Sequence, residues 1–130
     1  MTDGVTDGLA TLEPGALAHL LEITGGDEGF VDELIDTFLD DATGQLDGLR
    51  AAAAGSDDGT DPGALVRPAH SLKSSAASVG AQRLAERCRA LEAAARTGTV
   101  DDTEDRVAAI EREFAAARDA LLAARGRSVS

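Results

Sequence analysis

Apolar residues recur along this chain at helical spacing, in one short stretch and four longer ones. The sharpest pattern is Leu65, Ala69, Leu72, Ala76 and Val79, spaced four, three, four and three. At about 100° per residue these five fall on one side of a helix. Upstream, Val31, Leu34, Ile35, Phe38, Leu39, Ala42, Leu46 and Leu49 give a broad apolar face over about six turns, with Asp27 placed to cap its start. Gly44 and Gly48 interrupt that face, each at roughly 1 kcal/mol against Ala, so the helix must lean on tertiary packing. Downstream, Leu84, Cys88, Leu91 and Ala95 carry a stripe through residues 81–96, and Val107, Ile110, Phe114, Ala117 and Leu121 form another. A short leading helix covers Leu17, Leu20 and Leu21, with Pro14 suited to its first position.

Punctuation between these stretches fits the same reading. Gly25-Gly26, Gly80 and Thr97-Gly98 are stop signals, and residues 55–60 read as a loop. Asp61-Pro62 supplies a cap and a first-position proline. Asp101 or Asp102 caps the last helix, with Glu104 and Asp105 at its positive end and Arg125 and Arg127 at its negative end. Pro68 removes an amide and clashes with the carbonyl of Ala64, which predicts a kink over residues 64–68 or a helix that starts properly only at Arg67; the kink is preferred. No segment alternates with period two and no tandem repeat occurs. The pattern predicts an all-α protein: an antiparallel up-and-down four-helix bundle with a short additional N-terminal helix. Residues 1–10 read as a flexible tail, 11–125 as the bundle domain and 126–130 as a second tail.

Composition narrows the chemistry. A chain of 130 residues, 43% hydrophobic, suffices for one core. Its net charge of −12 repels phosphate backbones and anionic lipid, and three Phe with no Trp or Tyr leave no platform for stacking bases. Nucleic acid and membrane partners are therefore not expected. One cysteine, Cys88, excludes an internal disulfide, and no apolar run approaches the roughly 20 residues of a membrane span. The first eight residues lack the apolar core of a signal peptide. A cytoplasmic location is the expectation.

The helix that carries the sharpest stripe also carries the chain's one lysine, three residues after one of its two histidines. The other eleven basic residues are arginine, so a compact point charge stands beside this imidazole. His70 lies roughly 140° from the stripe's centre, on the solvent side, with Lys73, Ser74 and Ala77 at i+3, i+4 and i+7. Small neighbours leave room for another protein to bring an atom to the ring. An imidazole with a reference pKa of roughly 6.5 retains a free nitrogen at neutral pH and serves as a nucleophile. His19, on the leading helix beside Leu20 and Leu21, reads as structural or surface.

The stretch Ala69-His70-Ser71-Leu72-Lys73, the small residues up to Gly80, and then Leu84, Cys88 and Leu91-Glu92 resembles the signature of histidine-containing phosphotransfer (HPt) domains. Gly26-Asp27-Glu28-Gly29-Phe30, with Phe38, Asp41 and Leu49, is similar to the family's preceding helix, so the likeness covers most of residues 12–122. Ser74 departs from it: the family usually has Gly after the lysine, and a hydroxymethyl crowds a partner's approach slightly. The resemblance implies that Nε2 of His70 attacks an aspartyl phosphate on a receiver domain and later passes the phosphoryl group to another receiver. Lys73 would screen the phosphoryl charge. Docking would involve Phe30, Leu34, Asp41, Ser74, Ser75 and Gln82, beside the small face at Ala77, with core packing an equal reading for Phe30 and Leu34. The implied partners are receiver domains and a hybrid sensor histidine kinase, met by a monomer.

Phosphoryl transfer needs charge neutralisation, usually by a metal. No carboxylate cluster around His70 is apparent in the sequence, so no cofactor is expected on this chain and Mg²⁺ is assigned to the receiver. No nucleotide-cradling loop occurs, so the chain is expected to be a relay intermediate and not an autophosphorylating enzyme. Two alternatives have other signatures. A helical adaptor that binds receivers unphosphorylated would not need His70 and Lys73 together. A Ser/His hydrolase built on His70 and Ser74 lacks an orienting acid and an oxyanion loop.

Overall fold

The structure is a computed structural model, which describes residues 10–12, 15–55, 62–98, 100 and 102–128; the side chains of Glu28 and of residues 125–128 lie outside the description. Five helices are described: α1 (Ala16–Ile23), α2 (Glu28–Ala54), α3 (Pro62–Ser78), α4 (Gln82–Arg96) and α5 (Thr103–Ser128). Neighbouring packing runs α2–α3, α3–α4, α4–α5 and α5–α2, so the four long helices close a ring around one core, and α1 leans on α2. This is the four-helix bundle with a leading helix that the apolar periodicity predicts.

The predicted stripes supply the core. Leu65, Ala69, Leu72, Ala76 and Val79 are wholly buried, as are Cys88, Leu91, Ala117 and Leu121. Phe38 of α2 meets Phe114 of α5 with ring centroids 6.1 Å apart and planes at 46°, a tilted pair within the favourable range. Across the α4–α5 seam, Arg83 and Arg87 donate to the buried Glu113 at 3.1 and 2.9 Å. Burial pushes the Glu113 carboxyl up, but the two guanidiniums outweigh it and hold it below the ordinary glutamate value.

Helix ends follow the sequence signals closely. Asp27 Oδ1 accepts from Phe30 N at 2.9 Å, capping α2. After α1, the amides of Gly25 and Gly26 bond back to Glu22 and Leu21, with both glycines at positive φ. After α3, Gly80 at φ 77° and Ala81 bond back to Ala77 and Ala76 in the same manner. That stop turns the chain directly into α4. Asp102 adopts φ 57° before α5, and its carbonyl accepts from Arg106 N at 2.9 Å. Asp61, Pro14 and Asp101, to which caps or a helix start were assigned, and the tail at residues 1–9 lie outside the described residues.

At Pro68 the structure removes the disfavoured of the two sequence readings. Helix α3 begins at Pro62 and stays helical through Pro68, so it does not start at Arg67. The proline ring is accommodated across the α2–α3 seam by Gly48, where an added Cβ would lie 3.4 Å from Pro68 Cβ. Gly48, read in sequence as a weak point of α2, is thus where the two helices approach; α2 itself is continuous over 27 residues. Helix α5 runs to Ser128. Among the described residues, no helix is long and apolar enough to cross a membrane.

Candidate functional site

His70 projects from the outer face of α3 with just over half of its side chain exposed (54%), while Ala69 and Leu72 beside it in sequence are fully buried. The stripe therefore holds the helix down and aims the imidazole outward. Its Nδ1 lies 3.0 Å from Oε2 of Glu92, which reaches across from α4. Glu92 is 6% exposed. The Lys73 ammonium stands 2.8 Å from its Oε1, as an ion pair outside hydrogen-bond geometry, and Arg96 Nη2 donates to Oε2 at 2.7 Å. Lys73 and then Arg96, with a further contribution from His70, outweigh burial and hold the Glu92 carboxyl down at about 2.

The ionised carboxylate can only accept, which assigns the proton of the neutral ring to Nδ1 and leaves the lone pair on Nε2. Nε2 is the nitrogen on the opposite edge of the ring, away from Glu92. The anchored imidazole is thus set up as a nucleophile whose orientation is fixed from behind. One carboxylate and two cations give the surroundings a net positive charge before any anion arrives. Cys88, one turn before Glu92, is buried beneath the site; burial first, and Glu92 second, push its thiol up to about 12, so it offers no thiolate.

Glu92, which stands in the sequence motif without an assigned role, is the acid that orients His70, and so the sequence expectation that no orienting acid stands beside His70 is corrected. It follows Leu84 and Cys88 at i+8 and i+4, so it belongs to the stripe that α4 turns toward α3, and a carboxylate on such a stripe needs a partner. That signal was present in the sequence. What it lacked was the register of α4 against α3, which decides that the partners are His70 and Lys73.

The other candidate residues divide into two groups. Lys73, Ala77 and Gln82 line one shallow groove between α3 and α4, together with Gly80, Ala85, Glu86 and Arg89. Ser74 and Ala77 are exposed on the His70 face and Ser75 is half-buried. Gln82 Oε1 also accepts from Ala10 N at 3.5 Å, tying the segment before α1 to the start of α4. Phe30, Leu34 and Asp41 stand on α2 and do not line that groove. Phe30 is 49% exposed and so is not a core residue, Leu34 packs against the core, and Asp41 is exposed. His19 is exposed as expected, and it lines a second shallow groove with Leu20, Ala77, Ser78 and Gly80. Ala77 is therefore the ridge between two grooves. Among the described residues, no three His, Cys, Asp or Glu side chains gather as a metal site would require.

An exposed, singly anchored imidazole on a four-helix bundle defines a protein that carries a group on histidine. Comparison with known proteins gives that class its name. The sequence model of the Hpt domain matches residues 33–120. The structure of histidine-containing phosphotransfer protein B (HptB) from Pseudomonas aeruginosa PAO1 is similar, with 34% identity, a TM-score of 0.79, and coverage of 90% of this chain and 96% of that one. No curated protein sequence matches. The chain belongs to the Hpt domain family. Its role is histidine phosphotransfer within a phosphorelay, and proteins of this family work as intermediates that engage receiver domains and histidine kinases.

Proposed function

We propose that His70 is the phosphorylated residue and that the chain takes its phosphoryl group from a receiver-domain aspartate and passes it to a second receiver. The Nε2 lone pair attacks phosphorus, the Nε2–P bond forms as the P–O bond of the aspartyl phosphate breaks, and the released electron pair returns to the carboxylate. The ring becomes an imidazolium that keeps its Nδ1 proton, with Glu92 opposite to balance the charge. Onward transfer reverses these changes, so neither direction requires a base on this chain. Mg²⁺ bound by the receiver supplies charge neutralisation at the transferring group. Lys73 offers a further cation one helical turn from the ring, and the face around Ser74, Ser75, Ala77 and Gln82, together with Phe30, Leu34 and Asp41 on α2, receives the partner.

The observation that carries this reading is the 3.0 Å contact from Nδ1 to a carboxylate, which leaves Nε2 as the exposed nucleophile. A pulse-chase tests it. Isolated receiver domains charged with acetyl phosphate and Mg²⁺ are mixed with the protein, the donor is removed, and a second receiver is added. Acid-labile label that enters the protein and then leaves it for the second receiver is expected. A protein that binds receivers and never takes up label would be the adaptor, and the relay reading would be wrong.

A further inference from the structure

Lys73 has one ammonium and two claims on it. In the unphosphorylated protein its Nζ stands 2.8 Å from Glu92 Oε1, and that buried oxygen has no hydrogen-bond partner. The lysine charge therefore offsets the cost of keeping a carboxylate out of water. Arg96 serves the other oxygen, which is already shared with His70. A phosphoryl group on Nε2 would sit on the far edge of the ring from Nδ1, so Glu92 and the phosphoryl group lie on opposite sides of the imidazole. The Lys73 side chain is 30% exposed and one turn from His70, and any move of its ammonium toward a phosphoryl group on Nε2 weakens its contact with Glu92 Oε1.

Resting on the relay role of His70 given above, we infer that Glu92 sets the phosphoryl-transfer equilibrium by competing with the phosphoryl group for Lys73. When the lysine turns to the phosphoryl group, Oε1 gives up its one nearby cation, while Arg96 and the Nδ1 proton remain on Oε2. That penalty belongs to the phosphorylated state alone. It keeps His70 from holding the group too firmly, which is what an intermediate between two aspartates requires. Glu92 is a positioning residue in this account: it acts on the transferred group through Lys73 and does not touch it.

Glu92→Gln separates this from a purely structural role, because the amide oxygen still accepts from Nδ1 while the charge is gone. The test measures the equilibrium ratio of phospho-His70 to phospho-receiver, with a receiver domain that exchanges label with the parent protein. The ratio should rise about tenfold in Glu92→Gln at low ionic strength and less in high salt, as a charge effect over several ångströms near the surface should. In a Lys73→Met background the same Glu92→Gln change should no longer raise the ratio and should lower it somewhat, because the carboxylate then only balances the imidazolium of the phosphorylated ring. Lys73→Met alone should shift the ratio toward the receiver, and this variant carries the test if Glu92→Gln does not fold. Label on His70 with an unaltered ratio in Glu92→Gln would overturn the inference while leaving the relay role standing. So would a rise that persists without Lys73. Loss of label from the parent protein itself would instead count against the relay role.

Discussion

Replacing Ala77 with arginine should slow phosphoryl transfer and leave the fold intact. Ala77 is exposed seven residues after His70, about 10.5 Å further along the same face of α3. A docked partner burying roughly 800 Å² per side covers a patch about 30 Å across, so a receiver centred on His70 reaches Ala77. The residue also divides the groove of Lys73 and Gln82 from the groove of His19, and a long side chain there overruns one or the other. On the stability side, Ala to Arg at an exposed helical position costs about 0.2 kcal/mol, which moves the melting temperature by no more than about 2 °C. On the docking side, about 1.4 kcal/mol of lost contact lowers affinity tenfold, and a misplaced guanidinium in a close interface costs at least that. Rapid-quench measurement of transfer from a charged receiver should show a fall of about tenfold or more at sub-saturating concentration. Ala77→Glu, equally intrusive and opposite in charge, should also slow it. Rates for both variants matching the parent would refute the placement of the partner on this face.

Other consequences concern stability. Gly44→Ala should raise stability by about 1 kcal/mol, since an added Cβ meets nothing within 4 Å, while Gly48→Ala should gain less because its Cβ presses on Pro68; urea midpoints decide, and an equal gain at both would show that the α2–α3 approach is not tight there. The Glu92 carboxyl is depressed in the folded state, so its contribution is complete above the ordinary glutamate value and is lost as pH falls toward about 2. Urea midpoints recorded from pH 5 down to pH 2 should therefore fall less steeply in Glu92→Gln than in the parent. Parallel slopes would mean that Lys73 and Arg96 do not hold the carboxylate ionised.

The core was legible because helical periodicity and burial are the same geometric fact seen twice. All five members of the Leu65 to Val79 stripe are fully buried, and the exposure of His70 follows from its angle to that stripe. Helix stops at Gly25-Gly26 and Gly80 were legible because glycine readily adopts positive φ. What the sequence does not encode locally is which helix face meets which. Glu92 sits 22 residues from His70, and their contact depends on the register of α4 against α3. The packing of the Pro68 ring against Gly48, twenty residues earlier, likewise belongs to the α2–α3 register. Phe30 escaped in the opposite sense: its position at the edge of the α2 stripe was compatible with core or surface, and the packing leaves it half-exposed.

The central claim is that the phosphoryl group sits on Nε2 of His70. Nitrogen-15 NMR of the phosphorylated protein, with ³¹P coupling to the ring, identifies the bonded atom directly. A single phosphohistidine is expected, bonded through Nε2, with the Nδ1 proton still present, and no label in His70→Gln, whose helical content should match the parent. Phosphorus on Nδ1, on His19, or persisting in His70→Gln would contradict it.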